Sequence, residues 1–236
     1  MIIGRSWGQG AQHSQSFQSL FAHIPGLVVI MPASADAVLE SYTHAIKNYR
    51  GPVISIEHRI LYDYKFKSHY DANIAIENPF SSRLIQRGSD VTIVATSIMV
   101  IESLRVSEYL SKEYQIQCEI IDLHSVSHYD SKMILDSVKK TGKLVIADTS
   151  WKAYGVCAEI TRLICEEDPA LLKKAVVTLG MQPTPCPTTK TLENLFYPDD
   201  FTFIKKVIEL VKGKKVADVL QKQNINHNYT NFKGPF

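Results

Sequence analysis

Residues 27–56, LVVIMPASADAVLESYTHAIKNYRGPVISI, decide the fold class of this chain. The apolar run at residues 27–31 has the length and the flanking prolines of a short buried strand. Ser34 then stands where a helix N-cap is expected, and apolar residues recur at helical spacing behind it. Gly51 ends that helix, and a second apolar run follows at residues 52–56. Strand, helix and strand in this order predict a βαβ unit of a parallel sheet.

A longer α/β series occupies the chain downstream of residue 82. Four apolar runs predict strands, at residues 90–95, 118–122, 143–147 and 174–178. Segments with helical periodicity alternate with them, at residues 100–114, 131–140, 155–166 and 200–212. The series predicts one complete doubly wound α/β domain with a mostly parallel sheet. Residues 1–61 hold only about half of such a domain and cannot cover both faces of a sheet. We therefore expect a fragment of a larger domain, or a domain completed by a partner chain.

The composition is that of an ordinary globular protein. Of the 236 residues, 45% are hydrophobic and 21% are charged, and the formal net charge is only +2. This balance gives no electrostatic footprint for nucleic acid or for an anionic membrane. No apolar run approaches the roughly 20 residues of a membrane span, and the N-terminus has no secretory pattern. The four cysteines stand far apart, so we expect a cytoplasmic protein without a disulfide or zinc framework.

Residues 4–16, GRSWGQGAQHSQS, form the most unusual stretch. Three glycines without a β-branched residue describe a loop whose backbone runs close to another group. It is not a dinucleotide fingerprint, because His13 replaces the third glycine, and no Gly-Lys-Ser/Thr phosphate loop follows. His13 and Ser14 are adjacent, an arrangement in which one side chain rarely activates the other. Two interpretations stay open, a functional loop and a tight structural turn leading into a helix at residues 15–23.

Glu57 is a further candidate because it stands at the carboxyl end of a predicted strand. In open α/β sheets these ends face the ligand crevice. A structural ion pair with Arg59 or Arg5 is an equal alternative.

Two other pairs of residues are more typical of structural than of functional roles. His124 and His128 are four residues apart, but they follow a strand in the loop HSVSHYD, so metal binding is the weaker interpretation. Cys157 and Cys165 lie on a helical pattern and are expected in the core rather than as reactive thiols.

Five collinear stretches over about residues 2–210 carry a family resemblance. They are GRSWGQGAQHSQSFQSLFAHIPGLVVIMP, AIKNYRGPVISIEHRILY, GSDVTIVATSIMVIESL, KTGKLVIADTSWKAYGVCAEI and PTPCPTTKTLENLFYP. Together they resemble the beta subunit of the thiamin diphosphate-dependent decarboxylating component of 2-oxo-acid dehydrogenase complexes. That family includes pyruvate, branched-chain 2-oxo-acid and acetoin dehydrogenases.

The resemblance implies a domain plan. Residues 1–65 would be the C-terminal part of the pyrimidine-binding domain, whose N-terminal part is expected outside this chain. Residues 66–82 would connect it to a transketolase-type C-terminal domain at residues 83–212, and residues 213–236 would be a flexible tail.

The resemblance also implies partners and cofactors. In the family, thiamin diphosphate lies between an alpha and a beta subunit of a heterotetramer, and the alpha subunit holds the diphosphate through magnesium. The reaction is oxidative decarboxylation with acyl transfer to lipoamide on the lipoyl acyltransferase core. The beta subunit's cofactor-binding glutamate lies upstream of the stretch matching residues 12–14. We therefore expect this chain to be inactive without an alpha subunit and the N-terminal segment, and mitochondrial if eukaryotic.

The family's site residues carry over at few positions. His13 matches the active-site histidine, with a role in proton handling or in orienting the intermediate, and Gln12 would lie beside the cofactor. Backbone carbonyls of Ala45, Ile46 and Asn48 match a potassium site found in some members. Two alternatives remain: a non-catalytic α/β dimerisation or assembly domain left as a remnant, and a split transketolase-like subunit.

Overall fold

The computed structural model describes residues 1–5, 8–65 and 78–214. Most of the predicted connection at residues 66–82 and nearly all of the predicted tail lie outside these ranges. Among the described residues before residue 65 there are four short strands: β1 (Ile2–Ile3), β2 (Val28–Ile30), β3 (Val53–Ser55) and β4 (Glu57–His58). The same residues also form helices α1 (Gly10–His13), α2 (Gln18–Ala22) and α3 (Ala35–Lys47), and a 3₁₀ turn at Arg59–Asp63.

The predicted βαβ unit is present. β2 pairs in parallel with β3, and β1 pairs in parallel with β4. Ser34 caps α3, since its hydroxyl accepts the Ala37 N–H at 3.2 Å. The helix predicted at residues 15–23 is present in shortened form as α2. A separate single turn, α1, precedes it, and between the two the Ser16 carbonyl accepts the hydroxyl of Ser150 at 3.1 Å.

The downstream domain has a five-stranded sheet. Its strands are β5 (Arg83–Gln86), β6 (Val91–Ala95), β7 (Cys118–Asp122), β8 (Leu144–Trp151) and β9 (Val177–Met181). Their order is β5-β7-β6-β8-β9, and all neighbours are parallel except β5 and β7. Its helices are α4 (Ile98–Tyr114), α5 (Ser131–Thr141), α6 (Val156–Glu167), α7 (Lys190–Phe196) and α8 (Asp200–Lys212). The predicted α/β fold with a mostly parallel sheet is confirmed.

The core lies on both faces of this sheet. β6 and β7 are buried along their whole length, as expected of central parallel strands. In one hydrophobic cluster, α4 and α8 pack against the sheet. In the other, α5 and α6 pack together with Ile3 of β1, Val29 of β2 and Ile56, which precedes β4. The two parts of the chain therefore share one core. Cys157 is buried as predicted, but Cys165 faces solvent, so the prediction for Cys165 is wrong.

The free edge of β2 is covered by the loop after β7. Ile30 bridges Ser125 in antiparallel fashion, and the Met31 N–H donates to the carbonyl of His124 at 2.6 Å. His124 adopts a φ of +56° to make this turn. Across the described ranges, the helices are too short or too polar to cross a bilayer.

Candidate functional site

The glycines of residues 4–16 are explained by close backbone contacts. A Cβ on Gly8 would lie 2.4 Å from the carbonyl oxygen of Thr188, and one on Gly10 would lie 2.7 Å from its hydroxyl. A Cβ on Gly4 would overlap the ring of His58. All three glycines have positive φ. The expectation that this backbone runs close to another group is correct, and the nearest groups belong to the same chain.

The loop presents α1, which carries Gln12 and His13. Both side chains are exposed. His13 is the last residue of this single turn, and its carbonyl accepts a hydrogen bond from Nη2 of Arg59 at 3.2 Å.

Ser14, the residue after His13, is buried. The hydroxyl of Ser14 lies against the Cys186 thiol and the Tyr197 hydroxyl, although neither approach has full hydrogen-bond geometry. The guanidinium of Arg5 lies 5.2 Å from the centre of the Tyr197 ring. Burial raises the pKa of both Tyr197 and Cys186, so both remain neutral.

A buried polar network joins the two parts of the chain behind α1. Oδ1 of Asp148 accepts from the Gln18 amide at 2.9 Å, the Thr96 hydroxyl at 2.6 Å and the Thr149 N–H at 2.8 Å. The Ser16 hydroxyl donates to Oε1 of Gln18 at 2.7 Å. Burial raises the pKa of Asp148, and the three bonds oppose that rise. This network fixes α2, and with it the exit from the loop.

Three hydroxyls hold Glu57. Tyr42 donates to its Oε1, the Ser55 hydroxyl donates to the same oxygen at 2.8 Å, and Tyr62 donates to Oε2 at 3.0 Å. Burial alone would raise the pKa of Glu57, but the hydroxyl bonds outweigh it and lower the pKa. The hydroxyls, rather than Arg5 or Arg59, account for that lowered pKa.

Glu57 borders an apolar groove of about 580 Å³ between α3 and the 3₁₀ turn. Leu39 and Ile46 line it and are 69% and 82% exposed. The predicted potassium ligands lie at one end of this helix, on a different element from His13. Asn48 caps α3, and its N–H donates to the carbonyl of His44 at 2.9 Å.

The two loop histidines have separate partners. Nε2 of His124 lies 2.8 Å from the hydroxyl of Ser41, and Nδ1 of His128 lies 2.8 Å from that of Ser127. Burial lowers the pKa of His124 to about 3, so it is neutral. Within the described ranges, no group of three or more His, Cys, Asp or Glu side chains could hold a metal ion.

The fold and the loop together define the class of protein. Residues 81–201 match the transketolase C-terminal domain, and residues 6–65 match the transketolase pyrimidine-binding domain. The chain therefore belongs to the transketolase C-terminal domain family, with part of a pyrimidine-binding domain ahead of it.

Named relatives agree with the predicted resemblance. The chain is 32% identical over 210 residues to the mitochondrial pyruvate dehydrogenase E1 beta subunit of Saccharomyces cerevisiae, covering 88% of this chain and 57% of that protein. It is 35% identical to the Rickettsia conorii pyruvate dehydrogenase E1 beta subunit, over 86% of this chain and 60% of that protein. It is 32% identical to the beta subunit of the Cupriavidus necator acetoin:2,6-dichlorophenolindophenol oxidoreductase, over 91% of this chain and 62% of that protein. The chain thus spans about three fifths of the length of these relatives.

A solved structure shares the fold. It is described as a split-gene transketolase in an inactive beta4 tetramer, with a TM-score of 0.69, 22% identity, and coverage of 90% of this chain and 66% of that one.

Proposed function

We propose that this chain is the beta-subunit portion of a thiamin diphosphate-dependent 2-oxo-acid dehydrogenase. In an assembly with an alpha subunit, a second beta subunit and the N-terminal part of the pyrimidine-binding domain, it would carry out oxidative decarboxylation. The acyl group would pass to lipoamide on an acyltransferase core. The observation that carries the proposal is the exposed imidazole of His13 on a backbone that is fixed on both sides. The names of the relatives support the same class of reaction.

The residues of this chain fit one side of such a cofactor. When bound, thiamin diphosphate supplies the carbon nucleophile for the 2-oxo group. His13 holds or moves a proton at the substrate oxygen, and Gln12 orients the bound group beside it. Glu57 is not assigned to the cofactor ring, because three hydroxyls already occupy its carboxylate. The alpha subunit would hold the diphosphate and magnesium.

Potassium is proposed at the end of α3. The last carbonyls of a helix have no donor within that helix, so those of Ala45 and Ile46 are available to a cation. The carbonyl of Asn48 is the third proposed ligand.

Two alternatives have their own support. The single core shared by both parts of the chain suits a non-catalytic assembly domain. The likeness to the split-gene transketolase supports a split transketolase-like subunit.

The test is reconstitution. The chain, extended upstream with the front of a relative's pyrimidine-binding domain, is mixed with an alpha subunit, thiamin diphosphate and magnesium. We expect 2-oxo-acid-dependent reduction of 2,6-dichlorophenolindophenol, and His13→Ala lowers kcat by about a hundredfold. An assembly that forms but neither binds thiamin diphosphate calorimetrically nor turns over contradicts the proposal. Turnover of a sugar phosphate instead would favour the transketolase-like alternative.

A further inference from the structure

The helix that carries His13 cannot hold its own shape. α1 has four residues, and no side chain caps its N-terminus. One turn fixes several dihedral angles for a single hydrogen bond, so it is unfavourable in isolation. Its last carbonyls also need donors from outside the helix. The direction of the imidazole therefore depends on contacts made by the backbone around it.

Contacts at the two ends of α1 differ in kind. At the start, Gly8 and Gly10 lie against Thr188, which is a steric contact. At the end, the Arg59 guanidinium donates to the carbonyl of His13 at 3.2 Å. A cation at a helix C-terminus also meets the negative end of the helix dipole, and a charged donor bonds more strongly than a neutral one.

Arg59 is itself well placed. It opens the 3₁₀ turn directly after β4, so its backbone is tied to the small sheet. Burial lowers the pKa of Arg59, while the nearby hydroxyls of Tyr197 and Tyr62 raise it, and a guanidinium in this position stays charged. Arg59 therefore connects the strand β4 with the end of α1.

We propose that Arg59 is a positioning residue for His13, which it orients through the carbonyl at the end of α1. That Arg59 orients His13 is inferred from the hydrogen bond between them. That this orientation affects the reaction rate rests on the proposed function, in which His13 handles a proton. Arg59 touches neither substrate nor cofactor in this proposal. Its effect should reach the reaction only through the orientation of the imidazole.

The first test uses the chain alone. In isotope-labelled protein, we expect Arg59→Gln to move the carbonyl ¹³C resonance of His13 and the amide of Ser14, and Arg59→Lys to restore part of the shift. The matched control is Arg162→Gln, since Arg162 pairs with Glu159 and Glu166 on the surface of α6. If the His13 carbonyl resonance is the same in wild type and Arg59→Gln, the proposal is overturned.

The second test uses the reconstituted assembly. We expect Arg59→Gln to lower kcat about tenfold or more with KM unchanged, and Arg59→Lys to recover part of it. Adding Arg59→Gln to His13→Ala should cause no further loss, because both act through one group. Losses that multiply would overturn the proposal, and so would an unchanged kcat in Arg59→Gln. If the wild-type assembly does not turn over, the proposed function fails, and the carbonyl resonance alone decides the role of Arg59.

Discussion

Gln18 donates its side-chain amide to Asp148 at 2.9 Å, and both side chains are shielded from solvent. Gln18 begins α2 in the pyrimidine-binding part, whereas Asp148 lies in β8 of the downstream domain. Within the described ranges, the second carboxylate oxygen of Asp148 has no hydrogen-bond partner, so the network depends on Oδ1. A buried polar contact therefore fixes one part of the chain on the other.

Replacing Gln18 by Leu should destabilise the chain by about 2–3 kcal/mol. The change keeps a similar volume but leaves Asp148 with two donors and removes the acceptor of Ser16, and unsatisfied buried groups cost about 1–3 kcal/mol each. Urea unfolding measures the change in free energy. The exposed Gln182, replaced by Leu, is the control and should stay within about 0.5 kcal/mol of wild type. Equal effects at the two positions would contradict a structural role for the network.

Gly8→Ala should cost more stability than Gly26→Ala. Both glycines have a φ of +82°, so the backbone strain is the same, about 1 kcal/mol. A Cβ at Gly26 meets nothing within 4 Å, whereas one at Gly8 meets the Thr188 carbonyl at 2.4 Å. The difference between the free energies of unfolding of the two variants in urea therefore measures the cost of the close contact. Equal free energies would mean that the loop can shift away from Thr188 at no cost.

Gly10→Ala tests a contact with the side chain of Thr188, whereas Gly8→Ala tests a contact with its backbone. Its Cβ would meet the hydroxyl of Thr188 at 2.7 Å, and that hydroxyl can be removed. Thr188→Ala should therefore relieve the steric part of the cost of Gly10→Ala but leave that of Gly8→Ala, which meets a backbone atom. Double-mutant cycles in urea measure both terms. Relief of both variants, or of neither, would contradict these contacts.

Local sequence patterns predicted most of the fold because the central strands are long apolar runs. Cys118–Asp122 and Asp200–Lys212 were predicted with their observed bounds. β9 begins at Val177 and not at residue 174, because pairing of Val177 with Val145 sets its register. β5 was not predicted, since Arg83–Gln86 has no apolar run and becomes a strand through its antiparallel partner β7.

Less of the candidate site than of the fold could be predicted from the sequence. The glycines indicated a close approach, but only the fold identifies Thr188 as the neighbour. The role of Gln18 was not predicted, because the sequence does not show whether a polar residue in a helix is buried or exposed. Arg59 and the hydroxyls around Glu57 come together from separate elements, which spacing along the chain does not reveal. The roles of Gln12 and His13, and of the potassium ligands, stay predictions.

Glu57→Gln should lower the pKa of Tyr62. Burial and the bond to the Glu57 carboxylate together raise the pKa of Tyr62 to about 12, because ionising the phenol beside an anion is unfavourable. A neutral amide removes the anion and the strong acceptor, so the phenol should ionise at lower pH. Ultraviolet difference titration near the tyrosinate band measures the shift, with Tyr62→Phe to assign it. Identical titration curves for wild type and Glu57→Gln would contradict the contact.

The contribution of Glu102 to the free energy of unfolding should fall as the pH rises from about 4.5 to 8, whereas the buried His58 and His124, whose pKa values are lowered from 6.5 to about 3, contribute the opposite change below pH 6.5. Burial and the neighbouring Asp200 raise the pKa of Glu102 from 4.5 to about 8, although Arg105 bonds it at 2.7 Å. Between these values the folded chain keeps a proton that the unfolded chain releases, so each step up in pH favours unfolding. Glu102→Gln should remove this contribution, so the free energy of unfolding of the variant relative to wild type should rise from pH 5 to 8.5, as measured by urea unfolding. Glu108→Gln, an exposed change on the same helix, is the control and should keep the wild-type slope. A difference between Glu102→Gln and wild type that stays constant from pH 5 to 8.5 would contradict the raised pKa of Glu102.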